Sequence, residues 1–325
     1  MLNGLYVFLM NIFESRALSH RVKISYNHTK WLHKFYVMKK TALTFIKQLL
    51  SREGKEAVSK NNYQLNLNAA EVYESQKVNA MFRPLAEATL EQVLLHETDI
   101  VLDIACGTGI ISRCIARKVQ PVKAIVGVDL NEGMIEIARS VTKDKKQMFE
   151  WHCANVTNLP FDDNSFSIAF CQQGLQFFPD KAKALEEIKR VLMPDGRLIL
   201  TVWSGISPLF EALAQAIEDK ISQKLAVQSL APFAFRDEQI ITDLIGKAGF
   251  SNIETTTLTI KREIGPAQSS LPREIAGNPV GVAVMEKGQA VMDGIVRQVE
   301  DAIAVYRTET GFSIPQETFL IETYV

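Results

Sequence analysis

Between Ile100 and Trp203 the chain repeats one pattern: an apolar run too short for a helix, followed by a segment whose apolar residues recur at helical spacing. Ile100-Val101-Leu102-Asp103-Ile104 is continuous apolar sequence broken by one acid, the pattern of a strand buried on both faces. Ile110 to Val119 then reads as helix, Ala124 to Val128 as strand and Gly133 to Val141 as helix. Phe149 to Cys153 and Phe166 to Cys171 read as strands, Lys181 to Leu192 as helix and Arg197 to Trp203 as strand, with Pro194-Asp195-Gly196 a tight turn before the last. Parallel strands need a crossover as long as a helix, so this alternation predicts a parallel sheet covered on both faces. The fold class is α/β, doubly wound.

The flanking segments extend that sheet. Before it, Val78, Met81, Leu85, Ala86, Leu90, Val93 and Leu94 make one apolar stripe over Ala69 to His96, which predicts an amphipathic helix after a short turn at Tyr73 to Lys77. After it, Leu209 to Ala226 and Asp237 to Ala248 read as helices and Phe250 to Ile260 as a strand. Residues 265 to 312 hold Pro266, Pro272, Gly277-Asn278-Pro279 and a helical pattern from Ala290 to Tyr306, and read as a helical lid insertion. Glu317 to Val325 reads as a final strand, the seventh of a mostly parallel sheet. The division is therefore residues 1–67 as extension and linker, 68–264 as the main domain, 265–312 as lid and 313–325 as the returning strand.

Composition narrows the chemistry. A net charge of -1 and a pI near 6.6 give no field for nucleic acid, so a small-molecule partner is expected. Residues 16 to 52 are the exception, with nine lysines and arginines and no acid. They admit three readings, an organelle transit peptide, peripheral contact with a membrane surface, or an upstream extension with no role of its own, and Met38 could be the true start. No stretch reaches the 18 or so apolar residues that span a bilayer, and Leu5 to Met10 lacks the flanks of a secretory signal. Cys106, Cys114, Cys153 and Cys171 form no CxxC pair and no histidine stands at ligand spacing, so no metal is expected and the thiols suit a reducing, cytoplasmic setting. Oligomeric state is not readable.

The chemistry-bearing segment is the turn after the first strand. Gly107 and Gly109 let the backbone approach a ligand, and the helix opening at Ile110 presents free amides. A lone Gly-x-Gly serves any tight strand-to-helix turn, but Val128-Asp129-Leu130 ends the second strand with a carboxylate where doubly wound folds grip ribose hydroxyls. Dinucleotide binding wants a third glycine, and Ser112 stands there instead. Asp103 would repel a pyrophosphate yet suits the cationic amino group of a methionine moiety, so the cofactor reads as S-adenosyl-L-methionine and not a nicotinamide.

At this point the chain resembles the class I S-adenosylmethionine-dependent methyltransferases, and within them the type 11 group that includes the ubiquinone and menaquinone biosynthesis methyltransferases. The likeness spans Tyr73 to Ile260. It rests on Val101 to Gly109, Val128-Asp129-Leu130-Asn131, Asn158-Leu159-Pro160-Phe161-Asp162-Asp163 followed by Phe166, and Lys189 to Arg197. The resemblance implies a Rossmann-like methyltransferase fold in which Asp103, Ala105, Cys106, Gly107, Thr108 and Gly109 hold the methionine end. It implies Asp129 for the ribose, and Leu130 and Met134 for the adenine face. Asn155, followed by Val156, departs from the aspartate many relatives carry there; an amide oxygen can accept the same adenine hydrogen bond.

Gln172, in Cys171-Gln172-Gln173-Gly174-Leu175-Gln176, is the first choice for orienting cofactor and acceptor, and Tyr73, Phe82 and Arg83 resemble the family's entrance segment. No catalytic residue is assigned, because a sulfonium carbon is already electrophilic and proximity supplies much of the barrier lowering. His152 is the candidate base should the acceptor need one. The expected activity is methyl transfer to a small apolar or aromatic acceptor. The rivals are a regulatory protein that binds the nucleotide without transfer and a nicotinamide-dependent oxidoreductase.

Overall fold

The structure is a computed structural model that describes residues 67–119 and 123–325. The basic N-terminal segment and nearly all of the expected linker lie outside the described residues. Helix α1 (Leu67–Val72) runs unbroken through a π-helical stretch, Tyr73–Phe82, into α2 (Arg83–Gln92). The turn expected at Tyr73 to Lys77 is thus a widened helix. Pro84 in the first turn of α2 has no amide to donate and crowds the carbonyl four residues back, which favours wide turns upstream.

The rest follows as β1 (Val101–Ile104), α3 (Ile110–Lys118), β2 (Ile125–Asp129), α4 (Glu132–Val141), β3 (Phe149–Cys153), β4 (Phe166–Gln172), α5 (Lys181–Val191) and β5 (Leu192–Trp203). Then come α6 (Pro208–Lys220), α7 (Gln223–Ser229), α8 (Glu238–Lys247), β6 (Ser251–Ile264), α9 (Ala267–Ala276), α10 (Gly281–Met285), α11 (Gln289–Ala302) and β7 (Phe312–Tyr324). The strands form one seven-stranded sheet in the order β3-β2-β1-β4-β5-β7-β6. Strands β1 to β5 are parallel, and β7 is antiparallel to both neighbours. The chain winds outward from β1 through β2 and β3, then from β4 in the opposite direction. Their boundary is the switch point at whose carboxyl side a crevice opens.

Both faces of the sheet are covered. Val101, Ile125, Ile168, Phe170 and Ile199 pack against α2 and α3 on one side. Leu102, Ile104, Leu198, Leu200 and Val202 pack against α5 and α8 on the other. Residues 265–312 form α9 to α11, whose Leu271, Ile275, Ile295, Val296 and Val299 lie against Leu209, Leu213 and Ile217 of α6 and Phe312 and Ile314 of β7.

Three local readings change. Pro194-Asp195-Gly196 is a bulge inside β5, with Asp195 left-handed at φ 62 and the pairing with β4 resuming after a register shift. The helix expected over Leu209 to Ala226 breaks at Ile221, and the Ser222 hydroxyl caps α7 by accepting from the Leu225 amide. Strands β6 and β7 run to 14 and 13 residues. Polar residues of β6 on the exposed side hid its length, because pairing with β7 and not apolarity extends it.

Candidate functional site

The loop from β1 to α3 is built on left-handed backbone at Ala105 (φ 52), Gly107 (φ 55) and Gly109 (φ 78). The Cys106 amide donates to the Val128 carbonyl of β2 at 3.0 Å, and the Gly109 amide to the Cys106 carbonyl at 2.8 Å. Part of the demand for glycine comes from packing. Trp151 of β3 lies flat beneath the loop, so a Cβ on Gly109 or on Gly127 would overlap its indole. The indole Nε1 donates to Thr142 Oγ1 at 3.0 Å, which fixes the ring in that plane. A tryptophan in a five-residue strand carries no sequence sign of this role.

Two carboxylates flank the loop. Asp103 is buried; its Oδ2 accepts from Ser112 Oγ at 2.5 Å, while Oδ1 has no partner. Burial pushes its carboxyl up to about 7, against the hydrogen bonds from Ser112 and with a further push from Asp129. Ser112, where a dinucleotide site would carry glycine, is thus the side chain that anchors Asp103. Asp129 accepts the Gly107 amide at 2.9 Å on Oδ2 and the Asn131 amide at 2.8 Å on Oδ1. Burial raises its carboxyl too, and these backbone bonds oppose the rise. The acid at the end of β2 therefore braces the glycine turn, and the Leu130 amide bonds to it as well.

The remaining residues named from sequence fall into two sets. Leu130 is exposed past the end of β2, whereas Met134 is buried against Ala70 and Ile137 beside Tyr73. Val156 packs partly into the core behind β2. Asn155 is exposed and its Oδ1 already accepts both the amide and the hydroxyl of Thr157, each at 3.0 Å. The amide oxygen expected to receive an adenine donor is therefore taken by its own turn.

The entrance segment does reach the glycine turn. Glu74 Oε2 accepts from Thr108 Oγ1 at 2.5 Å and pairs with Arg113 at 2.8 Å. The Tyr73 ring lies over Gly107, 3.9 Å from where a Cβ would stand, and stacks on Phe82 with centroids 5.2 Å apart. Arg83 is turned to the surface, donating to Asn79. Glu74 and Arg113 escaped the sequence reading because the widened helix sets their register. His152 pairs with Glu150 at 2.8 Å and meets Phe161 edge-on. It stands on edge strand β3, three strands from β4.

The second half of the crevice is the rim formed by the carboxyl ends of β4, β5 and β6 and the amino-terminal half of β7. Gln172 Nε2 donates to the Phe82 carbonyl at 3.2 Å, while its Oε1 is buried without a partner. Gln172 pairs with Thr201 in the sheet, whose Oγ1 is likewise unpartnered. Gln173, left-handed at φ 57, donates to Thr318 Oγ1 and accepts from Gln176 Nε2, leaving Gln176 Oε1 unpartnered. Beside this acceptor-rich patch sits an apolar cluster of Met81, Phe82, Trp203, Phe210, Phe233 and Ile260. A separate cavity of about 570 Å³, lined by Asp163, Lys189, Arg190, Pro194 and Val325, opens at the amino ends of the strands, the end away from these residues.

Comparison with known proteins fits this arrangement. Residues 102–200 match the family model described as a methyltransferase domain. The demethylmenaquinone methyltransferase of Staphylococcus saprophyticus is 30% identical over 170 residues, covering 49% of this chain and 72% of that protein. The ubiquinone/menaquinone biosynthesis C-methyltransferase of Citrifermentans bemidjiense is 29% identical over 188 residues, covering 52% and 78%. The fold is similar to that of the Haemonchus contortus phosphoethanolamine N-methyltransferase 2 in complex with S-adenosyl-L-methionine, at TM-score 0.52 and 20% identity over 83% of this chain and 59% of that one.

Proposed function

The chain belongs to the class I S-adenosylmethionine-dependent methyltransferases, and from that premise we propose that it methylates a small aromatic acceptor of the hydroquinone type. The observation that carries the proposal is the rim of β4 and β5, where Gln172 and Gln176 leave buried amide oxygens unpartnered beside Trp203, Phe82 and Phe233. Buried acceptors without donors cost free energy until a donor arrives, and the hydroxyls of a reduced quinone are donors on an aromatic ring. The named quinone methyltransferases among the relatives support the same class of acceptor.

S-adenosyl-L-methionine is the cofactor of this family, and when bound it supplies an electrophilic methyl group on a sulfonium. The residues present fit it. The unpartnered Asp103 Oδ1 suits the methionine ammonium, and Ala105 to Gly109 form a cradle that a side chain at Gly107 would narrow against Tyr73. In this reading Asp129 takes the ribose, Leu130 with Met134 borders the adenine, and Asn155 and Val156 flank it. Glu74 ties the entrance helix over the turn and keeps water out. Gln172 and Gln176 orient the acceptor hydroxyls. The helices of residues 265–312 act as the lid over the acceptor side.

Among the described residues no helix is long and apolar enough to cross a membrane. Cys106, Cys114, Cys153 and Cys171 are unpaired, which supports a reducing, cytoplasmic setting. The test is transfer of labelled methyl from S-adenosyl-L-methionine to a panel of reduced quinones, catechols, amines and carboxylic acids. Turnover confined to hydroquinones and catechols supports the proposal. Turnover confined to amines or acids, or cofactor binding without any transfer, refutes it.

A further inference from the structure

Arg262 is the largest fully buried side chain among the described residues, and it sits on β6 where the sheet runs past the acceptor rim. Its Nη2 donates to Glu274 Oε2 of α9 at 2.5 Å, and Lys77 of the entrance helix donates to the same oxygen at 2.5 Å. Two cations therefore share one carboxylate oxygen. Arg262 and Lys77 both pair with Glu274, so with the two bases protonated the cluster holds two cations against one carboxylate. Burial works to raise the Glu274 carboxyl, yet the two cations hold it down at about 2. The same burial, with Arg262 beside it, lowers the Lys77 ammonium against the pull of Glu274.

A surplus buried cation is costly, and a chain that needed only a structural tie would cancel it or replace it with apolar side chains. Moreover Arg262 Nε is buried with no partner, a donor without an acceptor. Its surroundings connect it to the proposed reaction. The guanidinium carbon lies 5.2 Å from the centre of the Phe210 ring, Phe210 lies 5.0 Å from Phe233, and Phe233 lies 6.2 Å from Trp203 at the end of β5. On the other side Arg262 Nη1 touches Met81 Sδ, and the next residue, Phe82, carries the carbonyl that holds Gln172.

We infer that the acceptor carries an anionic group, a carboxylate, sulfonate or phosphate, which pairs with Arg262 at the far end of this line of aromatic rings. The inference rests on the aromatic-acceptor reading above and adds the charge of the molecule. The apolar body lies along Phe210, Phe233 and Trp203, and the anion takes the free Nε and one Nη of Arg262, a fork suited to two oxygens. Glu274 is the competitor that occupies the cation in the meantime, and Lys77 retains it when the anion arrives. Arg262 thus acts in binding and specificity, remote from the methyl group.

The test compares 2-naphthoate with its neutral counterpart 2-naphthamide, titrated by calorimetry into the full chain saturated with S-adenosylhomocysteine. Naphthoate should bind at least tenfold more tightly than the amide. Arg262→Gln should reduce that preference to within about twofold, and Arg262→Lys should keep part of it. Glu274→Gln removes the competing charge and should tighten naphthoate while leaving the amide unchanged. A purely structural ion pair predicts the opposite sign, because losing Glu274 would loosen the site for both probes. Equal affinity of the wild type for the two probes overturns the inference and leaves the aromatic reading standing. Failure of both probes to bind, in the wild type and in Glu274→Gln, overturns both.

Discussion

Asp103 makes cofactor affinity depend on pH in a direction the structure fixes. Its carboxyl titrates near 7 because it is buried with one oxygen unpartnered. Between the usual carboxylate range and pH 7 the folded chain without cofactor keeps a proton that the unfolded chain has lost. The protein alone therefore loses stability as pH rises through that interval. An ammonium placed against Oδ1 reverses the preference, since it pairs only with the ionised form. Below pH 7 binding must first expel the proton, so affinity for S-adenosylhomocysteine should fall up to tenfold per unit, roughly fiftyfold or ~2.3 kcal/mol from pH 7, where half the protons are already off, to pH 5. Asp103→Asn should flatten the profile and weaken binding at pH 8 by about 1.5–3 kcal/mol, the loss of a hydrogen bond to a charged group. Calorimetry across pH 5 to 8 on both proteins reads these values. A wild-type dissociation constant constant within threefold over that range, or a slope that persists in Asp103→Asn, refutes the placement of the ammonium.

Three further outcomes follow from the same geometry. Glu74→Gln should break the pair with Arg113 and weaken the tie to Thr108, raising the KM for cofactor several-fold with a smaller change in kcat, and speeding hydrogen exchange over residues 73–82. Gly109→Ala should lower stability by about 1–3 kcal/mol, from a left-handed backbone and from overlap with the Trp151 indole; thermal unfolding of the single variant and of its combination with Trp151→Ala should show partial rescue, and strictly additive losses would contradict the contact. Asn155→Asp should tighten S-adenosylhomocysteine binding, because a carboxylate has a second oxygen to offer once Thr157 has taken the first; unchanged affinity by calorimetry would remove this position from the adenine side.

The sheet was legible because its evidence is local. Val101 to Ile104 and Phe166 to Gln172 are buried on both faces, so each strand announces itself as an apolar run, and the alternating helices fix parallel order. Strand β6 was harder: much of it is exposed, and only its pairing with β7 defines where it ends. The left-handed turn after β1 and the acid that braces it were legible for a similar reason, since Asp103, Gly107 and Gly109 stand within seven residues and Asp129 follows at the end of the next strand. What escaped are side chains whose meaning depends on a neighbour far along the chain. Trp151 explains Gly109 and Gly127, and Glu74 explains Thr108 and Arg113, but each pair is joined only by the fold. Arg262, Glu274 and Lys77 come from β6, α9 and the π-helical stretch before α2, so no window of sequence contains them together.

The two ends of the crevice carry opposite charge, and that bears on how transfer proceeds. Around the glycine turn Glu74 and Arg113 pair with each other and leave two further acids, Asp103 and Asp129, suited to a cofactor that brings an ammonium and a sulfonium. At the far end Arg262 and Lys77 outnumber Glu274, suited to an acceptor that brings an anion. Between them lie uncharged glutamines and aromatic rings, which let the two fields act across a medium poor in water. A cationic acceptor would be repelled by Arg262 and Lys77, and an acceptor with its anion near the reacting atom would leave Arg262 Nε without a partner. The arrangement therefore selects for length as well as charge, since the reacting hydroxyl must reach Gln172 while the anion reaches β6. Shortening the acceptor at constant charge should then weaken binding and slow transfer together, whereas neutralising it at constant length should weaken binding and leave the rate at saturation nearly unchanged. Equal losses in kcat from both changes would place the anion at the reacting centre and not at Arg262.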